Sequence, residues 1–111
     1  SDLYNRLAMV LFRLGGFGEA EKNYRLAIAL SPDHAGLHHN LGVLLKSHGR
    51  LDEAIDQFRI ALRLQPNYAN AHYQLGLIFD EQGANKEARH HFEKAANINP
   101  TYAGSGGQKA P

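Results

Sequence analysis

Cysteine is absent from this 111-residue chain, which excludes a disulfide framework and any thiolate nucleophile or thiolate metal site, and leaves the redox compartment open. Tryptophan is absent too, and methionine occurs once. Neither sign of charge prevails, because 12 Lys and Arg face 11 Asp and Glu for a formal net charge of +1. With no run of one sign, neither nucleic acid nor an anionic membrane is an expected partner. No apolar stretch approaches the ~18 residues of a membrane helix, and no secretory leader is visible. A soluble chain is expected, its compartment open with the cytoplasm slightly favoured. Ser1 stands where Met would begin a gene product, as in an excised or processed fragment.

What is present is punctuation. In the stretch 38–66, together with Leu37 just before it, Leu37, Leu41, Leu44 and Leu45, then Leu51, Ile55, Phe58, Ala61, Leu62 and Leu64, recur at three- and four-residue intervals. Each half therefore reads as an amphipathic helix of roughly twelve residues. Gly49 separates the halves and Pro66 ends the second. Asp52 stands where an N-cap belongs, with Glu53 in the first turn and Arg63 in the last, matching the helix dipole.

The same pattern returns every 34 residues. Pro32, Pro66 and Pro100 are in register, as are Gly15, Gly49 and Gly83; Ala20, Ala54 and Ala88; Ala27, Ala61 and Ala95; Leu7, Leu41 and Leu75; Tyr24, Phe58 and Phe92. His38, Leu41-Gly42, Leu45, Ala54, Phe58 and Pro66 form a set that resembles the tetratricopeptide repeat signature. The third unit offers His72, Leu75-Gly76, Phe79, Ala88, Phe92 and Pro100, and the first Tyr4, Leu7-Ala8, Leu11, Ala20, Tyr24 and Pro32. His38 and His72 depart from the family's Trp, Leu11 and Leu45 from its second aromatic, and Ala8 from its Gly. The resemblance covers about residues 2–102 and implies an all-α fold of helix-turn-helix repeats stacked as a short right-handed α-solenoid. Its repeats would span 1–34, 35–68 and 69–102, with 103–111 a Gly/Ser-rich flexible tail.

A repeat array has no single core, and helices this short are marginal alone, so stacking must stabilise them. Each buried Leu or Phe contributes roughly 1.5 to 3 kcal/mol. Gly42 and Gly76 cost about 1 kcal/mol each inside a helix, which suggests a close approach, expected at Ala54 and Ala88; Gln57 is expected to be exposed. Helices are expected over 3–14, 19–30, 70–82 and 86–98. Gly15-Gly16-Phe17-Gly18 reads as the loosest turn, and residues 20, 24, 27, 28 and 30 as the inward face of the second helix. The first helix carries a broad apolar face of Leu3, Leu7, Val10, Leu11 and Leu14, fit for an upstream unit, a partner chain or its own second helix. Arg89, Lys94 and Ala96 replace Ile55, Ile60 and Leu62, a polar outer face expected of a terminal repeat.

Seven histidines raise the question of a metal, but adjacent helical residues such as His38-His39 and His90-His91 diverge by about 100° and cannot each chelate one ion. His38 and His72 read as packing residues, and neither a metal nor a cofactor is expected. No nucleophile-base arrangement, phosphate loop or dinucleotide fingerprint is legible, so no enzyme activity is expected.

In the family the first helices line a concave groove. The resemblance implies that Asn5, Arg6, Met9, Phe12 and Arg13, then His39, Asn40, Val43 and Lys46, then Tyr73, Gln74, Leu77 and Asp80 bind a peptide there, with Met9, Val43 and Leu77 as its floor. Chaperone-binding members grip a carboxylate with Lys, Asn, Asn, Lys and Arg where this chain has Asn5, Met9, Asn40, Asn70 and Gln74; only Asn40 matches, so that clamp is not expected. The expected function is a scaffold for a protein or peptide ligand. Alternatives are self-assembly through the first helix or the tail, and a targeting array from a larger enzyme such as a glycosyltransferase.

Overall fold

The computed structural model describes residues 1–103; the expected tail lies, beyond its first residue, outside the described residues. Six α-helices follow one another among these residues: α1 (Asp2–Arg13), α2 (Phe17–Leu30), α3 (Ala35–Ser47), α4 (Leu51–Leu64), α5 (Ala69–Glu81) and α6 (Asn85–Ile98), followed by a 3-10 turn over Pro100–Tyr102. No strand occurs among them. The fold is all-α and made of helix-turn-helix pairs. One compact unit comprises Ser1–Leu64, and a second begins at Gln65.

The turn inside each pair has one backbone design. Gly15, Gly49 and Gly83 have φ of 87°, 77° and 77°, the left-handed region where glycine has no Cβ penalty. Gly49 N–H donates to the Lys46 carbonyl at 3.0 Å and Arg50 N–H to the Leu45 carbonyl at 2.9 Å, the two bonds of a Schellman ending. Gly15 and Gly16 repeat them at 3.0 and 2.8 Å, and Gly83 and Ala84 at 3.1 and 2.9 Å. The first turn therefore has the same bonding as the others. Phe17 and Gly18 belong to α2 rather than to that turn. Asp52 is the second residue of α4, not its cap; the first turn is closed by the backbone instead, with Ala54 N–H donating to the Arg50 carbonyl at 3.0 Å.

In the first unit, Ala20, Tyr24, Ala27, Leu37, Leu41, Leu44, Leu45, Ala54, Ile55, Phe58 and Ala61 are buried. In the second, Ala71, Leu75, Ile78, Ala88, Phe92 and Ala95 are buried. Three residues expected on inward faces are not buried: Leu7, Leu30 and Leu64 are exposed. Leu7 matches Leu41, but α2 packs on α3 and no helix of the described chain supplies that cover to α1. Leu30 is the last residue of its helix and projects past the packed turn.

Gly42 and Gly76 do mark close approaches, but to a ring rather than to the alanines. A Cβ on Gly42 would stand 2.8 Å from Phe58 Cε1 and Cζ, and one on Gly76 would stand 2.7 Å from Phe92 Cδ1 and Cε1. Each glycine lets a buried aromatic from the second helix pack directly against the backbone of the first.

His38 and His72 have a polar duty as well as a packing one. Both are buried, and their Nε2 atoms lie 2.8 Å from the Pro32 carbonyl and 3.2 Å from the Pro66 carbonyl. A carbonyl only accepts, so Nε2 carries the proton and the ring ties its helix to the preceding loop. The other ring nitrogen, Nδ1, lies 2.9 Å from Gln57 Oε1, which links α3 to α4. Gln57 is thus half-buried and bonded rather than exposed. His91 takes the same place in the second unit, with the His72 and His91 Nδ1 atoms 3.1 Å apart.

Candidate functional site

In the first unit, α1 and α3 meet through their amides. Asn40 Nδ2 donates to Asn5 Oδ1 at 3.1 Å, and His39 Nδ1 lies 3.3 Å from Asn40 Oδ1. An amide has two N–H groups and two carbonyl lone pairs, so these contacts leave Asn40 one of each. Both asparagines are half-buried. One turn further along the same helices stand Met9, exposed, and Val43, half-buried. Their positions on the helices are not those of the buried leucines, so the core does not account for them.

The remaining expected residues divide by what else they do. Arg6 is exposed and pairs with Asp2, Nε to Oδ2, at 3.4 Å. Arg13 is exposed at the end of α1, while Lys46 is half-buried near the end of α3. Phe12 is half-buried and sets its ring edge-on to Phe17, with centroids 5.5 Å apart, and Phe17 in turn lies 4.3 Å from the His48 ring. Its ring therefore also joins α1 to the start of α2. His39 is buried with its ring 5.7 Å from Phe58, so it presents little surface of its own. Register alone does not reveal this, because the position matches Tyr73, which is only half-buried.

In the second unit, Tyr73, Gln74, Leu77 and Asp80 lie half-buried on α5. Tyr73 sits 5.8 Å from Phe92 and 5.0 Å from Tyr102, which ties the 3-10 turn to the helix pair. Burial raises the hydroxyl pKa of Tyr68, just before α5.

In the first unit, charge is organised around Arg50. Arg50, just before α4, donates to both oxygens of Glu21 on α2 at 2.8 and 3.1 Å and to both of Glu53 at 2.8 and 2.9 Å. Arg25 adds a bond to Glu21 at 2.9 Å. The Arg50 hydrogen bonds hold both carboxyls below the usual glutamate range and raise the arginine in turn. This cluster fastens the turn before α4 to α2. Among the described residues no three His, Cys, Asp or Glu side chains converge as metal ligands would.

Tetratricopeptide repeat models match residues 1–34, 23–56 and 69–102, and a TPR repeat model matches residues 44–83. Together with the helix pairs, the Schellman glycines and the ring-on-glycine contacts, these matches decide the matter. The chain belongs to the tetratricopeptide repeat family. Among solved structures it is similar to MamA, with 26% identity over 90% of this chain at a TM-score of 0.85. A MamA R50E mutant is 30% identical over 88% of this chain at a TM-score of 0.77. YrrB, described as a TPR protein with an unusual peptide-binding site, is 28% identical over 89% at a TM-score of 0.81. The chain spans 58% of the first MamA structure, 72% of the mutant and 51% of YrrB. No curated protein matches the chain. No described helix is long and apolar enough to cross a membrane.

Proposed function

We propose that this chain is a protein-interaction scaffold that seats a peptide on the α1 and α3 face of its first unit. The observation that carries this reading is the Asn5–Asn40 amide pair with Met9 and Val43 one turn away. A peptide bound there sets apolar side chains on Met9 and Val43 and finds, in the spare N–H and lone pair of Asn40, a donor and an acceptor for its own main chain. Arg13 and Lys46 favour an acidic residue on the ligand. Tyr73, Gln74, Leu77 and Asp80 occupy corresponding register on α5 and are proposed as a ligand face of the second unit in its own right. The repeat family and the peptide-binding description of YrrB support the reading.

The test is selection of binders from a random peptide library, followed by titration of variants against the best sequence. Met9→Glu puts a charge on the proposed floor at an exposed position, where folding is unaffected, and weakens binding. Asn40→Ala leaves peptide groups unpaired and costs roughly 1 to 3 kcal/mol, or about five- to a hundredfold in affinity. Arg59→Ala, at an exposed position on α4, leaves affinity unchanged. Weakened binding by Arg59→Ala alone would move the ligand to the outer helices.

A further inference from the structure

The apolar stripe on α1 is a separate surface. Leu3, Leu7, Val10 and Leu14 are 74%, 45%, 41% and 78% exposed, and their intervals of four, three and four residues align them along one side of the helix. At 100° per residue the stripe lies roughly 150° around α1 from Met9 and Asn5, so it owes nothing to the peptide seat. On α3 the corresponding Leu37, Leu41 and Leu44 are buried in a helix that packs against α2. A covering helix is therefore what this stripe is shaped to receive.

We propose that the cover is a second copy of this chain, with α1 laid antiparallel on α1 of the copy about a two-fold axis. The stripe's intervals read the same in both directions. An axis midway between Leu7 and Val10 sets Leu3 against Leu14 of the second copy and Leu7 against Val10, and leaves no leucine uncovered. A parallel pairing sets like residues side by side but turns both helix dipoles the same way; the antiparallel one opposes them. It also brings Asp2, in the first turn of one helix, beside Arg13 in the last turn of the other, while Asp2 still holds Arg6.

Head-to-tail stacking of copies is disfavoured by α6. Arg89 and Lys94 are exposed there at the positions of Ile55 and Ile60, and α1 leucines set against them would bury charge without a partner. The association is therefore closed, an isologous pair rather than a filament.

Sedimentation of the chain from micromolar to millimolar concentration reads the outcome. A reversible dimer is expected, and Leu7→Glu, at an exposed position, raises its dissociation constant by about tenfold or more with an unchanged helical circular dichroism spectrum. Because the chain has no cysteine, orientation is read directly: oxidising a mixture of Leu3→Cys and Leu14→Cys chains gives the mixed disulfide in preference to either like pair. A chain monomeric throughout, a dimer indifferent to Leu7→Glu, or a preponderance of like pairs overturns the proposal. So does a monomer that captures an added peptide of residues 17–30, since the stripe would then be a seat for an α2-type helix.

Discussion

At Gly42 the space for a methyl group is already filled by the ring of Phe58, itself fully buried. Two effects oppose each other in Gly42→Ala. Alanine gains about 1 kcal/mol of helix propensity, while forcing a methyl into a packed core costs typically 1 to 3 kcal/mol. The contact at 2.8 Å is to the body of a ring with no free side to turn toward, so overpacking prevails. Net destabilisation of up to about 2 kcal/mol is expected from urea unfolding. The same change at Gly18, where nothing lies within 4 Å of a new Cβ and α2 is already helical, is expected to stabilise. An equal response at both sites would mean that Phe58 does not pack on the glycine. The glycine-aromatic pairing is visible in the 34-residue register, yet nothing in the register says that ring and backbone touch.

At the scale of the element, each helix pair is ended and restarted by its backbone. None of the helices α1, α2, α3, α5 and α6 has a side-chain N-cap bond. The consequence is that the reversal depends on a left-handed residue and on two main-chain bonds. Gly49→Ala places a Cβ at φ of 77°, at a cost of roughly 1 to 2 kcal/mol, although nothing else crowds the site. Asp52→Ala, by contrast, is expected to change stability by less than the ~1 kcal/mol of a lost N-cap. Thermal unfolding of the two variants distinguishes the accounts: a larger loss from Asp52→Ala would restore the capping role that its sequence position suggests.

For the whole molecule, acid should act in two separate windows. Burial lowers the pKa of His72 from the ordinary 6.5, with the Lys94 and His90 charges adding to that and the Pro66 carbonyl opposing it. The unfolded chain therefore binds the proton first, and the stability held by neutral His72 is lost as pH falls below 6.5. Glu21 and Glu53 are held below the ordinary 4.5 by Arg50. Their contribution is present above 4.5 and is lost as pH falls through the lower folded value. Urea unfolding followed across pH should show both declines, and His72→Gln should remove the slope of the upper window while leaving the lower one. An unchanged upper slope would mean that another histidine carries it.

The repeat is legible without coordinates: a 34-residue spacing of proline, glycine, alanine and aromatic positions admits one kind of architecture, and the helices lie within a residue or two of where periodicity puts them. Breakers and helical periodicity are local properties, and three copies of a local pattern reinforce one another. Contacts between residues far apart in the chain are another matter. The bond between Asn5 and Asn40, the hold of Pro32 and Pro66 carbonyls on His38 and His72, and the burial of His39 beside Phe58 depend on how one helix faces another. Leu7 shows the limit most plainly. Its register equals that of Leu41, but burial belongs to a residue and its neighbour together, and in the described chain only Leu41 has that neighbour.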